Sequence, residues 1–167
     1  MLVPESGQAN FPASRQARDM DIDPYDFNCV HCVQAYELRR RGMPAEATAI
    51  PSHFLPGLGT TGGRPLADIE RVWNVRFQPA SKREIVRAFK KFGNGARGIV
   101  AVLWQFGGGH VFNVENIGGG VQFLDPQTGE ADVSRYFDYA EWTAYARLDD
   151  RTPGSGVLEF AAREGSA

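Results

Sequence analysis

The sequence predicts an α+β domain, and three observations carry the prediction. Helical periodicity is confined to the stretch before Gly93, and strand-like apolar runs to the stretch after Arg97. The two shortest strand candidates flank Ile117-Gly118-Gly119-Gly120, a glycine-rich joint that suits an antiparallel hairpin. The chain has no internal repeat, and its 167 residues suffice for one domain with its own core.

Residues 1–27, with Pro4, Pro12, Pro24 and Gly7, read as an extended arm or linker. The domain proper is expected over residues 28–150. Asn28 is a good N-cap for a helix over Cys29–Arg41, in which Cys29, Cys32, Val33 and Tyr36 share one face. Arg39, Arg40 and Arg41 suit the negative end of its dipole and read as a solvated helix end, or as a contact for an acidic partner. Gly42 and Pro44 stop it. Residues 51–65 form a Gly/Pro-rich loop with the length of a lid, and His53 within it reads as solvated.

A short helix is predicted over Leu66–Val72. A second runs from Ser81 to Phe92, where Ser81 and Glu84 have capping-box spacing and Ile85, Val86 and Phe89 repeat at the helical period. Gly98–Phe106 reads as a buried strand, His110–Asn116 and Val121–Leu124 as the hairpin, and Trp142–Leu148 as the last strand. Tyr136–Ala140 fits no element clearly, and Arg151–Ala167 reads as a loop and tail. Trp73, Trp104 and Trp142 are expected in the core.

Composition narrows the function. Hydrophobic residues make up 43% and charged residues 23%, a globular usage. A net charge of −2 argues against nucleic acid or an anionic membrane as partner, because phosphate binding needs a basic surplus. No apolar run approaches the roughly 20 residues that span a bilayer, and no signal peptide is visible at the N-terminus. The two cysteines, Cys29 and Cys32, are too few for a disulfide scaffold. A zinc site needs two further ligands from only His31, His53 and His110, and His31 lies inside the CxxC itself. A redox CxxC should follow a strand, whereas Met20–Phe27 is acidic and turn-like. No metal or cofactor is implied.

What remains is nucleophilic chemistry. At the first helical position, Cys29 meets unpaired N–H groups and the positive dipole end, which favour a thiolate and can hold an oxyanion. If the hairpin turns at Ile117-Gly118, Phe112 faces Phe123 and His110 faces Asp125. Opposed residues share a side of the sheet with Cβ atoms about 5 Å apart. A carboxylate there would fix the imidazole tautomer while the imidazole keeps a cysteine ionised. Gln127 has the same parity. Cys32 is the alternative nucleophile. Gln127 and Asn28 are secondary candidates for orienting substrate or an oxyanion. Glu115 should face away from His110, and Gly107–Gly109 leave bare backbone for a substrate to approach.

The stretches NCVHCVQAYELRRRG followed by PAEA, then GARGIV, GGHVFNVEN and VQFLDPQTG, resemble the papain-fold toxin domains of bacteria, a family of glutamine deamidases. The resemblance runs from about Asn28 to Leu148, and the order of Cys, GGH and FLDPQ is its specific part. It implies a papain-like α+β fold, with the nucleophile helix packed on an antiparallel β-sheet, and a Cys29–His110–Asp125 site. Two departures stand out. Where papain has a glutamine six residues before its cysteine, this chain has Asp23 or Asp26. Papain also uses the second cysteine of its CxxC, which corresponds to Cys32; the dipole argument favours Cys29.

The triad chemistry leaves deamidase, cysteine protease and transglutaminase open, and a catalytically inactive interaction module of the same fold is the competing class. The resemblance favours a protein glutamine deamidase: an effector secreted or injected within a larger toxin, acting in the target-cell cytoplasm. Its partners would be a target protein with an accessible glutamine and a cognate immunity protein.

Overall fold

The computed structural model describes residues 29–43, 45–47, 64–154 and 162–164. The predicted arm, the Asn28 cap, His53 and residues 51–63 of the predicted loop lie outside them. The first helix, α1 (Cys29–Arg40), follows the prediction to within one residue. It is not one-faced, however: every residue from Val30 to Leu38 is buried. The polar side chains of Gln34 and Glu37 can be buried because hydrogen-bond partners meet them there. Gln34 donates to the Val30 carbonyl at 2.7 Å and accepts from Trp73 Nε1 at 3.0 Å. Glu37 accepts from Arg97 at 2.9 and 3.0 Å and from Arg41 at 2.8 Å.

The arginine run is therefore not a solvated end. Arg39 donates to the Ala45 carbonyl at 3.2 Å. Arg41 binds Glu37 and the Leu148 carbonyl and lies 5.1 Å over the Trp73 ring. Arg40 donates to Glu115 at 3.0 and 2.5 Å, and the Tyr36 hydroxyl donates to the same buried carboxylate. Sequence spacing misses these contacts because their partners lie as much as 107 residues away.

After α1 comes β1 (Ala45–Ala47), which pairs antiparallel with β7 (Ala162–Glu164). The expected C-terminal loop and tail thus contains a strand, too short to show any alternation. Helix α2 (Arg64–Trp73) is longer than predicted. Helix α3 (Lys82–Phe92) has the predicted capping box: Glu84 N–H donates to Ser81 Oγ at 3.3 Å and Ser81 N–H to Glu84 Oε2 at 2.7 Å. None of the described helices is long and apolar enough to cross a membrane.

Strands β2 (Gln78–Pro79), β3 (Arg97–Trp104), β4 (Gly109–Ile117), β5 (Gly120–Leu124) and β6 (Ala140–Arg147) form one antiparallel sheet in the order β2-β6-β3-β4-β5. The unassigned stretch before β6 is a 3₁₀-helix, Ser134–Tyr139. Both faces of the sheet are covered, which is why the middle of β3 reads as an unbroken apolar run. Ile99, Ala101, Val111 and Ala146 pack with α1 and with Ile69, Val72 and Trp73 of α2. Val100, Val102, Phe112, Val114 and Phe123 pack with Ile85 and Phe89 of α3.

One correction matters for the site. The hairpin turns at Gly118-Gly119, not Ile117-Gly118, so Val114 faces Phe123 and Ile117 faces Gly120. Both central residues have positive φ, 61° and 92°. A two-residue turn of that hand accepts two glycines far more readily than an isoleucine. Asn94 Oδ1 and Asn116 Oδ1 accept from their N–H groups at 2.7 and 2.9 Å. The pairing shifts by two residues, an even number, so every side chain keeps its predicted face.

The buried Glu115 gives a stability test. Glu115→Ala leaves the Tyr36 hydroxyl and Arg40 without their acceptor, and breaking a buried pair from one side costs about 3 kcal/mol. Urea denaturation should show that loss. A loss below about 1 kcal/mol would mean that Arg40, one-third exposed, simply returns to water.

Candidate active site

Three pieces of backbone deliver the candidate site. The first is the β3–β4 connection. Gly107 and Gly108 take φ of 97° and 79°, and Trp104 N–H donates to the Gly108 carbonyl at 2.9 Å. A Cβ on Gly109 would lie 2.9 Å from the Val102 carbonyl oxygen. These glycines thus make the turn and the close strand contact, and they fix His110 as the second residue of β4, opposite Val102. The second is the end of β5. Asp125 follows its last residue and bridges to Glu130, donating N–H to the Glu130 carbonyl at 2.9 Å and accepting from Gly129 N–H at 2.8 Å. The third is the N-terminus of α1, which carries Cys29.

His110 shares its face of the sheet with Phe112 and Val114, the α3 side, whereas Cys29 belongs to the helix on the other side. The two meet at the end of the sheet where β4 begins. His110 Nε2 lies 2.7 Å from Asp125 Oδ2, and the Cys29 side chain is near enough to the ring to help raise its pKa. The corrected register makes His110 and Asp125 diagonal rather than directly opposed. Diagonal neighbours on one face remain within reach of long side chains.

Asp125 is 1% exposed and its oxygens are well supplied. Oδ2 also accepts from the Tyr136 hydroxyl at 2.8 Å, and Oδ1 accepts from the Gln127 backbone N–H at 2.9 Å. Burial is the largest influence on Asp125 and acts to raise its pKa. The His110 bond and charge, with the Tyr136 and Gln127 bonds, outweigh it and hold the carboxyl below its usual range. Burial likewise acts most strongly on His110, against its cationic form. The bonds to Asp125 and Cys29 and the negative charge on both prevail, and the imidazole pKa rises to about 10. Cys32 is different. It is fully buried in the core around α1, and burial, with the Cys29 and Asp125 charges adding, pushes its thiol well above the ordinary value. Neither cysteine forms a disulfide.

Aromatic rings close the site around His110. Trp104 stacks on it at 6.3 Å and 19°, Phe112 at 6.3 Å and 27°, and Tyr136 meets it edge-on at 5.6 Å. Trp104, expected in the core, is only half-buried and stands at the site; its place two residues after Val102, on the face that carries His110, is the signal that could have put it there. Tyr136 was not legible, because the 3₁₀-helix carrying it has no periodic signal. Gln127 joins the site through its backbone N–H. Glu115 faces away from His110, as expected, toward Tyr36 and Arg40. A cavity of about 330 Å³ beside Arg76, Phe92, Tyr145 and Arg147 contains no member of the Cys29–His110–Asp125 chain. Among the described residues, no three His, Cys, Asp or Glu side chains are grouped to hold a metal ion.

The arrangement is a sulfur beside an imidazole that is itself bonded to a buried carboxylate. Such a set can hold a thiolate beside an imidazolium and then deliver the imidazolium proton to a leaving group. Comparison with known proteins gives one match. A family model described as papain fold toxin 1, glutamine deamidase covers residues 27–130, a span that includes Cys29, His110, Asp125 and Gln127 and stops short of Tyr136. No curated protein and no solved structure matches the chain.

Two outcomes follow from this geometry. Iodoacetamide near neutral pH is expected to alkylate Cys29, which is only partly buried, and to leave Cys32 unmodified until the protein unfolds. Peptide mapping reads this directly, and equal labelling of both would contradict it. The second concerns stability. A histidine whose folded pKa is raised contributes stability that is complete below its unfolded value of about 6.5. That contribution is lost as pH rises through about 10. The difference in unfolding free energy between wild type and His110→Gln should therefore be larger at about pH 6 than at about pH 10. A difference that grows with pH would refute the imidazolium.

Proposed function

We propose, from the premise that this chain belongs to the papain fold toxin 1, glutamine deamidase family, that it hydrolyses the side-chain amide of a protein glutamine through a thioester on Cys29. The observation that carries this reading is the 2.7 Å bond from His110 Nε2 to the buried Asp125, with Cys29 beside the same imidazole.

The steps follow from the groups at hand. The Cys29 thiolate attacks the carboxamide carbon, and the carbonyl oxygen becomes an oxyanion. The backbone N–H groups of the first turn of α1 can hold that oxyanion, and Gln127 and Asn28 are the further candidate donors. The His110 imidazolium protonates the amide nitrogen, the C–N bond breaks, and ammonia leaves. Cys29 is then joined to the acyl group as a thioester. Neutral His110 next takes a proton from water as the water oxygen attacks the thioester carbon. The C–S bond breaks, glutamate is released, and the thiolate–imidazolium pair returns. In sum, amide and water become acid and ammonia. Asp125 holds the imidazole in place and stabilises its cation in both halves.

In biological terms this is the catalytic part of a toxin effector, secreted or injected within a larger protein and acting on a target protein in the recipient cytoplasm. A cognate immunity protein would protect the producer. Arg39, Arg40 and Arg41 are weak candidates for its contact, since all three are engaged inside the domain.

Incubation with a protein extract and mass mapping of peptides tests the reaction. Glutamine should convert to glutamate at defined sites without cleavage of the chain. Backbone fragments that depend on Cys29 would indicate a protease instead, and cross-linked amines a transglutaminase. Cys29→Ala should abolish the conversion and Cys32→Ala should retain most of it. Asp125→Asn should fold yet lose about 10²–10⁴-fold in turnover, because an amide does not support the imidazolium. Asp132→Asn, an exposed change bonded only near Ser134, should leave turnover intact.

A further inference from the structure

The tip of the β3–β4 hairpin presents apolar side chains where the fold gives them no reason to be. Four large hydrophobic side chains are exposed among the described residues: Met43, Leu103, Phe106 and Tyr139. Three of them gather at this tip. Leu103 is 43% and Phe106 76% exposed, and Tyr139, at 54%, is tied in through its carbonyl, which accepts from Gln105 N–H at 3.0 Å. The tip is a defined shape, not a loose loop. Trp104 and Gly108 close it by backbone hydrogen bonding, and Gly107 N–H donates to the Trp104 carbonyl at 3.0 Å.

The tip is also continuous with the reactive centre. Phe106 stacks on Trp104 at 6.0 Å and 12°, and Trp104 in turn stacks on the His110 ring and meets Tyr136 edge-on. A surface that reached His110 with a glutamine side chain would meet Phe106 on the Trp104 side, while Leu103, by strand alternation, faces the α1 side to which Cys29 belongs. From Leu103 to Gly109 the tip carries no charged residue, and the exposed Asp138 and Glu141 lie along the chain beside Tyr139 rather than beside Phe106. Its complement is therefore an uncharged, apolar surface, since a charged one would lose hydration here without gaining a partner. Exposed aromatic residues beside a site that acts on macromolecules have the chemistry of interface anchors.

We propose that Phe106, with Leu103 and Tyr139, is the seat for the substrate protein, and that it selects targets whose glutamine lies beside an apolar patch. This rests on the deamidase reading and adds to it the class of surface recognised. The tip acts in binding alone, and the acyl chemistry proceeds without it.

The test compares two substrates. One is a blocked glutaminyl dipeptide, too small to reach Phe106 while bound at Cys29. The other is a dialysed protein extract of bacterial and human cells. Ammonia release and glutamate formation by peptide mapping are measured for wild type, Phe106→Ser, Leu103→Ser and Met43→Ser, each first shown to have the wild-type melting temperature. Met43 follows the far end of α1 from Cys29 and serves as the exposed control. Phe106→Ser is expected to lower deamidation of protein about tenfold, the effect of losing one aromatic anchor, and to leave dipeptide turnover unchanged. Leu103→Ser should act in the same direction, Met43→Ser should do nothing, and Phe106→Trp should restore the rate.

Equal loss on both substrates would make Phe106 a packing support for His110 and overturn the proposal. So would no loss on either, or a wild type that hydrolyses the dipeptide and no protein. A wild type inert toward both removes the deamidase reading itself, and the docking proposal with it.

Discussion

A charge at Asp125 has to be kept in a place water barely reaches. A buried carboxylate persists only if hydrogen bonds replace its hydration, and here they come from three separate parts of the chain. His110 reaches it from β4, Gln127 N–H from the turn after β5, and the Tyr136 hydroxyl from the 3₁₀-helix before β6. The carboxylate is thus the knot that ties the hairpin, the turn and the 3₁₀-helix together at one end of the sheet. The same bond fixes the orientation of the imidazole beside Cys29.

The second constraint is that α1 must be surrounded and still place its first residue at the surface. A wholly apolar helix could be buried equally well, but nothing in it would fix which end emerges. Here polar side chains do so. Glu37 near the C-terminal half of α1 is locked to Arg97 on β3, and Arg40 and Tyr36 to Glu115 on β4. Asn113 Nδ2 adds a bond to the Val33 carbonyl at 3.2 Å. These long-range bonds pin the helix along the sheet so that its N-terminus, with the orphan N–H groups, lies where β4 starts. The same pairs are costly to desolvate, and their return is in register more than in raw stability.

Much of this was legible in the sequence for physical reasons, and the failures are as instructive. The capping box at Ser81 and Glu84 is a local contact between residues three apart, so spacing alone identifies α3. The strands of the hairpin announce themselves by apolar alternation. The turn was misplaced by one residue, since the pattern Ile-Gly-Gly-Gly offers adjacent choices and only the demand for positive φ at both centres separates them. That error moved the register by two and left parity intact, so His110 and Asp125 are not opposed as predicted but still meet, as diagonal neighbours on one face. The Arg39–Arg41 run, the strand at Ala162–Glu164 and Tyr136 were not legible, because each is defined by partners far along the chain.

The placement of the histidine shows why this sheet suits the chemistry. His110 and Cys29 belong to opposite sides of the sheet, and each is anchored in a different core: Cys29 against the cluster of α1 and α2, His110 among the rings that join the cluster of α3. A nucleophile and base on the same face would have to share one packed interior, with no room for a substrate between them. Meeting around the end of the sheet leaves the reacting atoms at its rim. The carboxylate stays inside, where the surrounding low dielectric strengthens its hold on the imidazolium. The Cys29 sulfur, on the other side, is only partly buried. The division of the interior into two cores is therefore what lets one short chain keep a buried charge and a partly exposed thiol at one end of the sheet.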